Sequence, residues 1–230
     1  MSIISSGAEY PFYVAGKAQT SGQWLEVQDK YQQSVYARVA LGDGKVLERG
    51  IVAELKAEAD MVALMLVQKQ KILLHCVKRF NELRDELTEI LIAEGGKPRM
   101  AASAEVERLI NTFQLAADAV TQLDEGRMLP LAVTAAAARY RGMVKYVPIG
   151  AVSLISPFNF PLNLVAHKIA PAIAAGCPFV LKPASLTPIS ALKIAQVLAE
   201  TDLPKGAWSI LPCDRHAADI LVTDDRFKML

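Results

Sequence analysis

Four polar residues that could bind a ligand follow two short apolar segments of the sequence. Ser156 and Asn159 come after the first segment. Lys182 is the last residue of the second segment, and Ser185 follows it. The residues between the segments are apolar at helical spacing, so the stretch 147–188 predicts strand, turn, helix and strand. Open α/β sheets bind ligands beyond the carboxyl ends of their strands. We therefore expect these four side chains to line a binding site.

Asn159 and Lys182 each allow a chemical and a structural interpretation. Asn159 stands in a Pro-Phe-Asn-Phe-Pro turn, where a rigidly held amide can donate a hydrogen bond to a developing oxyanion. Asparagine is also a frequent helix cap, and a helix is predicted to begin near Pro161. Lys182 can donate to a ribose or a phosphate, or it can extend along the surface to solvent. The residues alone leave these alternatives open.

Other familiar motifs for catalysis and binding do not occur in the sequence. There is no G-x-G-x-x-G, because Gly42-Asp-Gly44 continues as Lys-Val-Leu, and no Walker A, because Gly96-Lys97 is followed by proline. The three histidines have no histidine or cysteine partner at the spacing of metal ligands, so we predict no metal site. Without a G-x-S-x-G motif, a Ser-His-Asp triad is not expected either.

Composition limits the classes of partner. The chain has 230 residues, of which 52% are hydrophobic and 21% are charged, so it can bury a sizeable core. A formal net charge of +1 without a basic run argues against nucleic acid and anionic membranes as partners. The most apolar window, 161–181, is interrupted by polar residues that a bilayer would disfavour. With no signal-peptide pattern near Met1 and three widely spaced cysteines, we expect a cytoplasmic protein.

The first half of the chain predicts a small sheet followed by helices. Three short strands at 12–14, 24–27 and 35–39, separated by turn residues, predict an antiparallel flap. A first amphipathic helix is predicted over 51–68, with Leu55, Ala59, Val62 and Leu66 on its apolar face, and a second from Leu73 to Gly95. The pair Gly95-Gly96 with Pro98 beyond it should end the second helix. A third helix is predicted after Ser103, with Val106, Ile110, Phe113, Ala117, Val120 and Leu123 on one face.

The second half predicts a ribbon and then alternating strands and helices. Alternating side chains in 126–147 predict a β-ribbon that could pair with another subunit. After Pro188 we expect a helix over 190–200, a strand over 208–211 and a helix over 214–222, and the apolar residues 227–230 are typical of the start of a buried strand. This alternation favours an α/β fold with a parallel sheet and right-handed crossovers.

Several motifs resemble, in order, those of the NAD(P)-dependent aldehyde dehydrogenase superfamily. The most specific are P-I-G-A-V-S-L-I-S-P-F-N-F-P-L-N-L from Pro148, H-K-I-A-P-A-I-A-A-G from His167 and L-K-P-A-S-L-T-P from Leu181. Segments that begin at Tyr13, Ile92 and Leu203 are also similar to family segments: Y-V-A-G-K, I-A-E-G-G-K-P and L-P-K-G. The resemblance covers essentially the whole chain. It implies a Rossmann-like parallel sheet with an N-terminal β flap, a helical segment and an oligomerisation ribbon.

The resemblance also implies roles for individual residues. Asn159 would donate its amide to the thiohemiacetal oxygen, Lys182 would contact the adenosine ribose, and Lys168 would have a supporting role near the active site. NAD-preferring members usually carry glutamate at the position of Ser185, where a carboxylate would repel the 2′-phosphate of NADP. We therefore expect NADP to be accepted at least as well as NAD. The cofactor contacts implied are Ile155, Ser156, Pro157, Phe158, Lys182, Ala184 and Ser185.

Two catalytic residues of the family do not have counterparts in this sequence. The nucleophilic cysteine and the general-base glutamate of the family lie beyond a T-G-S motif that would follow Leu230. Cys76, Cys177 and Cys213 do not match that nucleophile and are expected to be structural thiols, because none has a visible activating base. We therefore expect the N-terminal portion of an aldehyde dehydrogenase, inactive on its own. A non-catalytic nucleotide-binding or assembly module is the alternative.

The expected division of the chain has three parts. Residues 1–125 would form the N-terminal flap and helices of the cofactor-binding domain, 126–147 the oligomerisation ribbon, and 148–230 the Rossmann-like core.

The full enzyme would act on a small-molecule aldehyde as a homodimer or homotetramer. The P-L-N-L-V-A-H-K variant is similar to members that act on small hydroxyaldehydes and semialdehydes.

Overall fold

The computed structural model of the protein describes residues 7–123, 126–131 and 133–230. In the first half, strands lead into a series of helices: β1 Ala8–Tyr10, β2 Phe12–Val14, β3 Lys17–Gln19, β4 Trp24–Gln28, β5 Val35–Ala40, α1 Gly44–Lys56, α2 Glu58–Ala63, α3 Leu66–Glu82, α4 Arg84–Gly95 and α5 Arg99–Leu123. In the second half, three strands come first and helices then alternate with strands: β6 Arg127–Leu129, β7 Gly142–Val144, β8 Val152–Ile155, α6 Asn163–Ala175, β9 Phe179–Lys182, α7 Ile189–Leu198, β10 Trp208–Ile210 and α8 Ile220–Thr223.

The central sheet has the strand order β3-β2-β10-β9-β8, and β8, β9 and β10 are parallel. The predicted parallel sheet and α/β class are therefore confirmed. Alternate residues of β9 pack on opposite faces: Phe179 and Leu181 join a large core with α3, α5, α6 and α7, whereas Val180 joins a smaller core with α1 and α8. Helices cover both faces, as parallel strands require.

The prediction that residues 12–14, 24–27 and 35–39 form one antiparallel flap was wrong, because the first of these strands belongs to a different sheet. Residues 12–14 form β2, which pairs antiparallel with β10 and β3 in the central sheet. A separate sheet contains β4, β5 and β1, with β1 parallel to β5. All three residues of β2 are buried, because both of its faces are apolar and both must be covered. By contrast, β4 and β5 include exposed residues, which suits a sheet at the surface.

The first predicted helix was wrong in its bounds and in its buried face. Residues 51–68 are divided among α1, α2 and the first residues of α3. Helix α1 begins earlier than predicted, because Asp43 Oδ1 accepts a hydrogen bond from Val46 N at 2.9 Å. The face of α1 that packs on the sheet contains Leu47, Ile51 and the carboxylic acid Glu54. Val62, which was expected in the core, is 59% exposed. A buried acid on the packed face cannot be recognised from hydrophobic periodicity.

The later helices follow the prediction more closely. The second predicted helix is α3 and α4, which meet at Leu83, and α4 ends as expected with Gly96 at φ 65°. The third, α5, begins at Arg99 rather than after Ser103, and the predicted face from Val106 to Val120 is buried, whereas Leu123 is exposed. No helix in the described parts of the chain is long and apolar enough to span a bilayer.

The predicted ribbon is present as β6 paired antiparallel with β7, with Met128 opposite Met143. Both methionines are more than half exposed. Ala132, within the predicted ribbon, lies outside the described residues. The two strands thus form an arm that projects apolar side chains into solvent.

The last predicted elements differ from those observed. The helix expected over 214–222 is a 3-10 turn at Ala217–Asp219 followed by the short α8. Met229 forms a parallel bridge with Val152 at the β8 edge, but Met229 and Leu230 are 56% and 61% exposed, so this segment is not a buried strand.

Candidate functional site

The carboxyl ends of β8 and β9 lie side by side, as the sequence predicts. Ile155 is opposite Lys182 in the register, and Ser156 N donates a hydrogen bond to the carbonyl oxygen of Lys182 at 3.1 Å. Ser156 is buried and Lys182 is partly buried. The loops that leave this edge carry the other predicted cofactor contacts: Pro157, Phe158, Ala184 and Ser185.

Lys182 brings positive charge to this edge without a carboxylate partner among the described residues. Its Nζ donates at 3.4 Å to the carbonyl oxygen of Pro183, at the long end of the hydrogen-bond range. Burial raises the pKa of Cys213 to about 11, and the charge of Lys182 partly opposes that rise. The ammonium group therefore lies near the ends of both β9 and β10, where it is available to an anionic or hydroxyl-bearing ligand.

The structure removes the capping alternative for Asn159. Helix α6 begins at Asn163 after Leu162, and no side chain of its own amino end caps it. Asn159 is exposed, and its side chain makes no hydrogen bond with the described residues. Its amide is thus available to a ligand in the loop between β8 and α6.

The cap of α6 comes instead from a distant helix. Glu105 of α5 is 1% exposed, and its Oε1 accepts hydrogen bonds from Leu162 N at 2.9 Å and Asn163 N at 3.1 Å. The other carboxylate oxygen pairs with Lys97, whose Nζ lies 4.0 Å from the ring centroid of Phe160. The sequence analysis missed this cluster. In the sequence Glu105 looks like any polar residue of an amphipathic helix, so hydrophobic periodicity gave no signal for it.

A second buried carboxylate holds the loop after β9. Glu94 at the end of α4 accepts from Ile189 N at 2.9 Å and Ser190 N at 2.8 Å, and also from the Ser190 hydroxyl. Burial raises the pKa of Glu94 to about 7, although these hydrogen bonds oppose the rise. Because the cap fixes the start of α7, it also fixes one end of the turn that carries Ala184 and the exposed Ser185.

A third buried carboxylate supports β8 itself. Glu54 Oε1 of α1 accepts from Val152 N at 3.2 Å, and Glu58 Oε1 accepts from Ala151 N at 2.9 Å. Burial raises the pKa of Glu54 to about 9. Buried acidic residues of the preceding helices therefore hold the starts of β8, α6 and α7, and none of these residues was predicted.

Lys168 lies on α6, away from the strand-end loops in sequence, and is half-buried. With His167 and Pro171 it lines a largely apolar cavity of about 510 Å³, which also contacts β8 and Met229. The structure thus places Lys168 near the start of β8 and Met229 rather than beside Lys182.

The three cysteines are reduced and buried. Burial raises the pKa of Cys76 and of Cys213, which disfavours the reactive thiolate. This environment agrees with the expectation of structural thiols. In the described part of the chain, no group of three or more histidine, cysteine, aspartate or glutamate side chains could hold a metal ion.

The comparison with protein families finds one match, the model described as the aldehyde dehydrogenase family, over residues 17–230. The chain is 32% identical over 214 residues to 3-sulfolactaldehyde dehydrogenase of Priestia aryabhattai, covering 93% of this chain and 44% of that protein. It is 34% identical over 222 residues to malonate-semialdehyde dehydrogenase of Bacillus pumilus, covering 93% and 45%. The chain thus spans just under half the length of these relatives.

Solved structures give the same picture. Aldehyde dehydrogenase 21 of Physcomitrella patens, in complex with the reaction product succinate, superposes with a TM-score of 0.95 at 42% identity. The match covers 98% of this chain and 47% of that one. A 3,6-anhydro-L-galactose dehydrogenase in complex with NAP superposes with a TM-score of 0.85 at 26% identity, over 95% and 46% of the two chains.

Proposed function

The chain belongs to the aldehyde dehydrogenase family, and we propose that it is the amino-terminal, nucleotide-binding portion of an enzyme that oxidises an aldehyde to a carboxylic acid. One observation carries this proposal: the adjacent carboxyl ends of β8 and β9 place Ser156 and Lys182 in contact, with the loops bearing Asn159 and Ser185 beyond them. Parallel α/β sheets bind nucleotides at this edge. The family match and the structural likeness support the same assignment.

The residues of the edge suit a nicotinamide nucleotide. Lys182 has no carboxylate partner among the described residues, so its ammonium group can donate to ribose hydroxyls. The nucleotide would lie along the loops after β8 and β9 and, when bound, accept the hydride from the substrate. Asn159 would donate its free amide to the oxygen that becomes negative when a thiolate adds to the aldehyde. Lys168 would have a supporting role only through α6, because it lies away from Lys182. The nucleotide contacts are Ile155, Ser156, Pro157, Phe158, Lys182, Ala184 and Ser185.

The choice between NADP and NAD depends on Ser185 in this proposal. Ser185 is exposed and uncharged, so nothing at this position repels a 2′-phosphate. A carboxylate about 5 Å from that phosphate would cost on the order of 2 kcal/mol, or more than tenfold in affinity. NADP should therefore bind at least as tightly as NAD.

Calorimetric titration of the chain with each nucleotide tests this proposal. We expect Ser185→Glu to weaken NADP binding more than tenfold and to leave NAD binding similar or improved. The matched control is Leu186→Glu, which adds the same charge at the neighbouring exposed position and should change the NADP-to-NAD ratio much less. Wild-type chain that binds NAD at least tenfold more tightly than NADP would contradict the assignment, as would failure to bind either nucleotide.

These 230 residues should not oxidise aldehydes by themselves. All three cysteines are buried. Burial raises the pKa of the Cys76 and Cys213 thiols. A nucleophilic thiolate requires the opposite environment. Purified chain of verified mass should give no aldehyde-dependent NADPH. Formation of NADPH in proportion to chain concentration would refute this proposal.

The ribbon supports an additional role in assembly. Its exposed Met128 and Met143 provide an apolar surface that a second copy of the chain could cover. We place the functional divisions at 1–125, 126–147 and 148–230, with the ribbon joining subunits of a cytoplasmic homodimer or homotetramer. A non-catalytic nucleotide-binding or assembly module is the second candidate, and it is favoured if nucleotide binding and self-association occur in a protein that lacks a catalytic thiol.

For the substrate, we propose a small aldehyde that carries an anionic group. The named relatives are a 3-sulfolactaldehyde dehydrogenase and a malonate-semialdehyde dehydrogenase, and the Physcomitrella structure contains succinate. The sulfolactaldehyde and malonate semialdehyde of these enzyme names, and succinate, each combine a short carbon chain with a negative charge.

A further inference from the structure

We infer that Glu105 and Lys97 are positioning residues that fix the loop 157–161, and with it the amide of Asn159, against the amino end of α6. The inference builds on the role proposed above for Asn159. Neither Glu105 nor Lys97 belongs to the strand-end residues predicted to contact nucleotide or substrate.

The first anchor is the capped end of α6. The first N–H groups of a helix have no partner within the helix, and here Leu162 and Asn163 are buried, so water cannot satisfy them. Glu105 Oε1 accepts from both, at 2.9 and 3.1 Å. A carboxylate also interacts favourably with the positive end of the helix dipole. Removing it would leave two buried donors unpaired immediately after the loop.

The second anchor is the ring of Phe160, the residue after Asn159. Lys97 Nζ lies 4.0 Å from the centre of this ring, and the Arg108 guanidinium lies 5.6 Å from it. These distances allow cation–π attraction. Lys97 also pairs with Glu105, so the same ammonium group compensates the buried carboxylate and holds the aromatic ring. The two anchors are thus coupled through one ion pair.

Asn159 depends on these anchors because it has no support of its own. Its side chain is exposed and makes no hydrogen bond with the described residues, and the preceding Phe158 is 57% exposed. The direction of the amide is therefore set by the backbone on its carboxyl side, at Phe160 and Leu162. A displacement of about 1 Å at such a donor can cost a hundredfold in rate, so a stabilised loop would serve an oxyanion donor well.

The alternative is that the buried ion pair only stabilises the fold. Chain labelled with ¹⁵N separates the two cases, without nucleotide or aldehyde. NMR measures hydrogen exchange of the Leu162 and Asn163 amides, backbone order parameters of residues 158–160 and the side-chain amide resonances of Asn159. Thermal unfolding of each variant reports global stability in parallel.

The variants are chosen to separate the anchors. Glu105→Ala should raise exchange at Leu162 and Asn163 at least tenfold and broaden or shift the Asn159 amide resonances. Glu105→Gln keeps an acceptor oxygen and should restore most of the protection. Lys97→Met keeps the aliphatic packing but removes the charge, and should mobilise Phe160 and shift the Asn159 amide.

The matched control is Glu107→Gln, two residues along the same helix. Glu107 pairs at the surface with Arg84, away from the loop. Glu107→Gln should leave hydrogen exchange at Leu162 and Asn163 and the Asn159 amide resonances unchanged.

The inference is overturned if Glu105→Ala lowers the melting temperature while loop order and the Asn159 resonances match those of the wild type well below melting. Should Glu105→Ala not fold, the same result for Lys97→Met overturns it. Equal loop effects in the Glu107→Gln control would overturn it as well. The separate nucleotide titrations distinguish a failure of the proposed function, because wild-type chain that binds neither NADP nor NAD contradicts that function and leaves the loop result unaffected.

Discussion

Replacing Glu54 by glutamine should remove most of the pH dependence of stability just above neutral pH. Glu54 is fully buried, and its Oε2 has no hydrogen-bond partner among the described residues. Burial raises its pKa from 4.5 to about 9, the Val152 N–H opposes the rise, and the neighbouring Glu58 carboxylate adds to it. The folded chain therefore keeps a proton on Glu54 at pH 7, and the unfolded chain releases it.

The sign and size of the effect follow from this difference in bound protons. A folded-state pKa above the unfolded value gives stability that is complete below about pH 4.5 and is lost as the pH rises to about 9. Within that window the unfolding constant should rise tenfold per pH unit, which is a loss of about 1.4 kcal/mol of stability per unit. Between pH 7.0 and 8.5 the loss is about 2 kcal/mol, or roughly 30-fold.

The pH window isolates Glu54 from the other buried groups. Glu94, whose pKa burial raises to about 7, adds the same slope below pH 7 and little above it. The buried thiols Cys76 and Cys213 contribute only above their ordinary pKa of 9.0.

Urea unfolding followed by circular dichroism, at pH 7.0, 7.5, 8.0 and 8.5, measures the slope. Wild-type chain should lose stability across the series, and Glu54→Gln should be nearly flat. Glu58→Gln is the control, because Glu58 lies beside Glu54 and, among the described residues, accepts from Ala151 N alone. Its charge is a smaller cause of the raised pKa of Glu54 than burial is, so this variant should keep most of the wild-type slope. The reasoning fails if the wild type is flat or if Glu54→Gln retains the full slope.

Three further predictions concern the ribbon, the thiols and one helix end. Met143→Asp should lower self-association measured by analytical ultracentrifugation, and unchanged sedimentation would count against the ribbon as an interface. At pH 8, Cys76 and Cys213 should react with a thiol reagent at least a hundredfold more slowly in the folded chain than in urea; equal rates would show that these thiols are accessible. Gly96→Ala should lower the free energy of unfolding in urea by about 1 kcal/mol, because Gly96 has φ 65°. Gly44→Ala, at a helix start where an added Cβ meets no atom within 4 Å, should leave it unchanged. Equal losses of stability in the two variants would refute the conformational explanation.

The parts of the fold that depend on local pattern were predictable. The strand-end placement of Ser156 and Lys182 follows from two apolar segments joined by a helix, and the end of α4 follows from Gly96. The ribbon was visible in the alternation of 126–147. In each case the signal lies within a few residues of the element that it specifies.

The parts that depend on distant contacts were not predictable. Glu54, Glu94 and Glu105 look like the polar residues of amphipathic helices, and only the packed structure shows that each one binds backbone N–H groups of a later element. The role of Asn159 as a cap was open for a related reason, because it depended on where α6 begins. Residues 12–14 could equally join any neighbouring strand, and their burial on both faces is a property of the completed sheet.

Because β2 pairs antiparallel with β10, it cannot complete this pairing during synthesis until β10 has been made. The Ala15 amide donates at 3.0 Å to the Ser209 hydroxyl, across a separation of 194 residues. At a synthesis rate of roughly 5–20 residues per second, the apolar β2 strand would wait on the order of 10–40 s at the ribosome before its partner emerges. During that delay only the hairpin with β3 satisfies one of its edges. We therefore expect newly made β2 to be a preferred binding segment for chaperones that recognise extended apolar peptides.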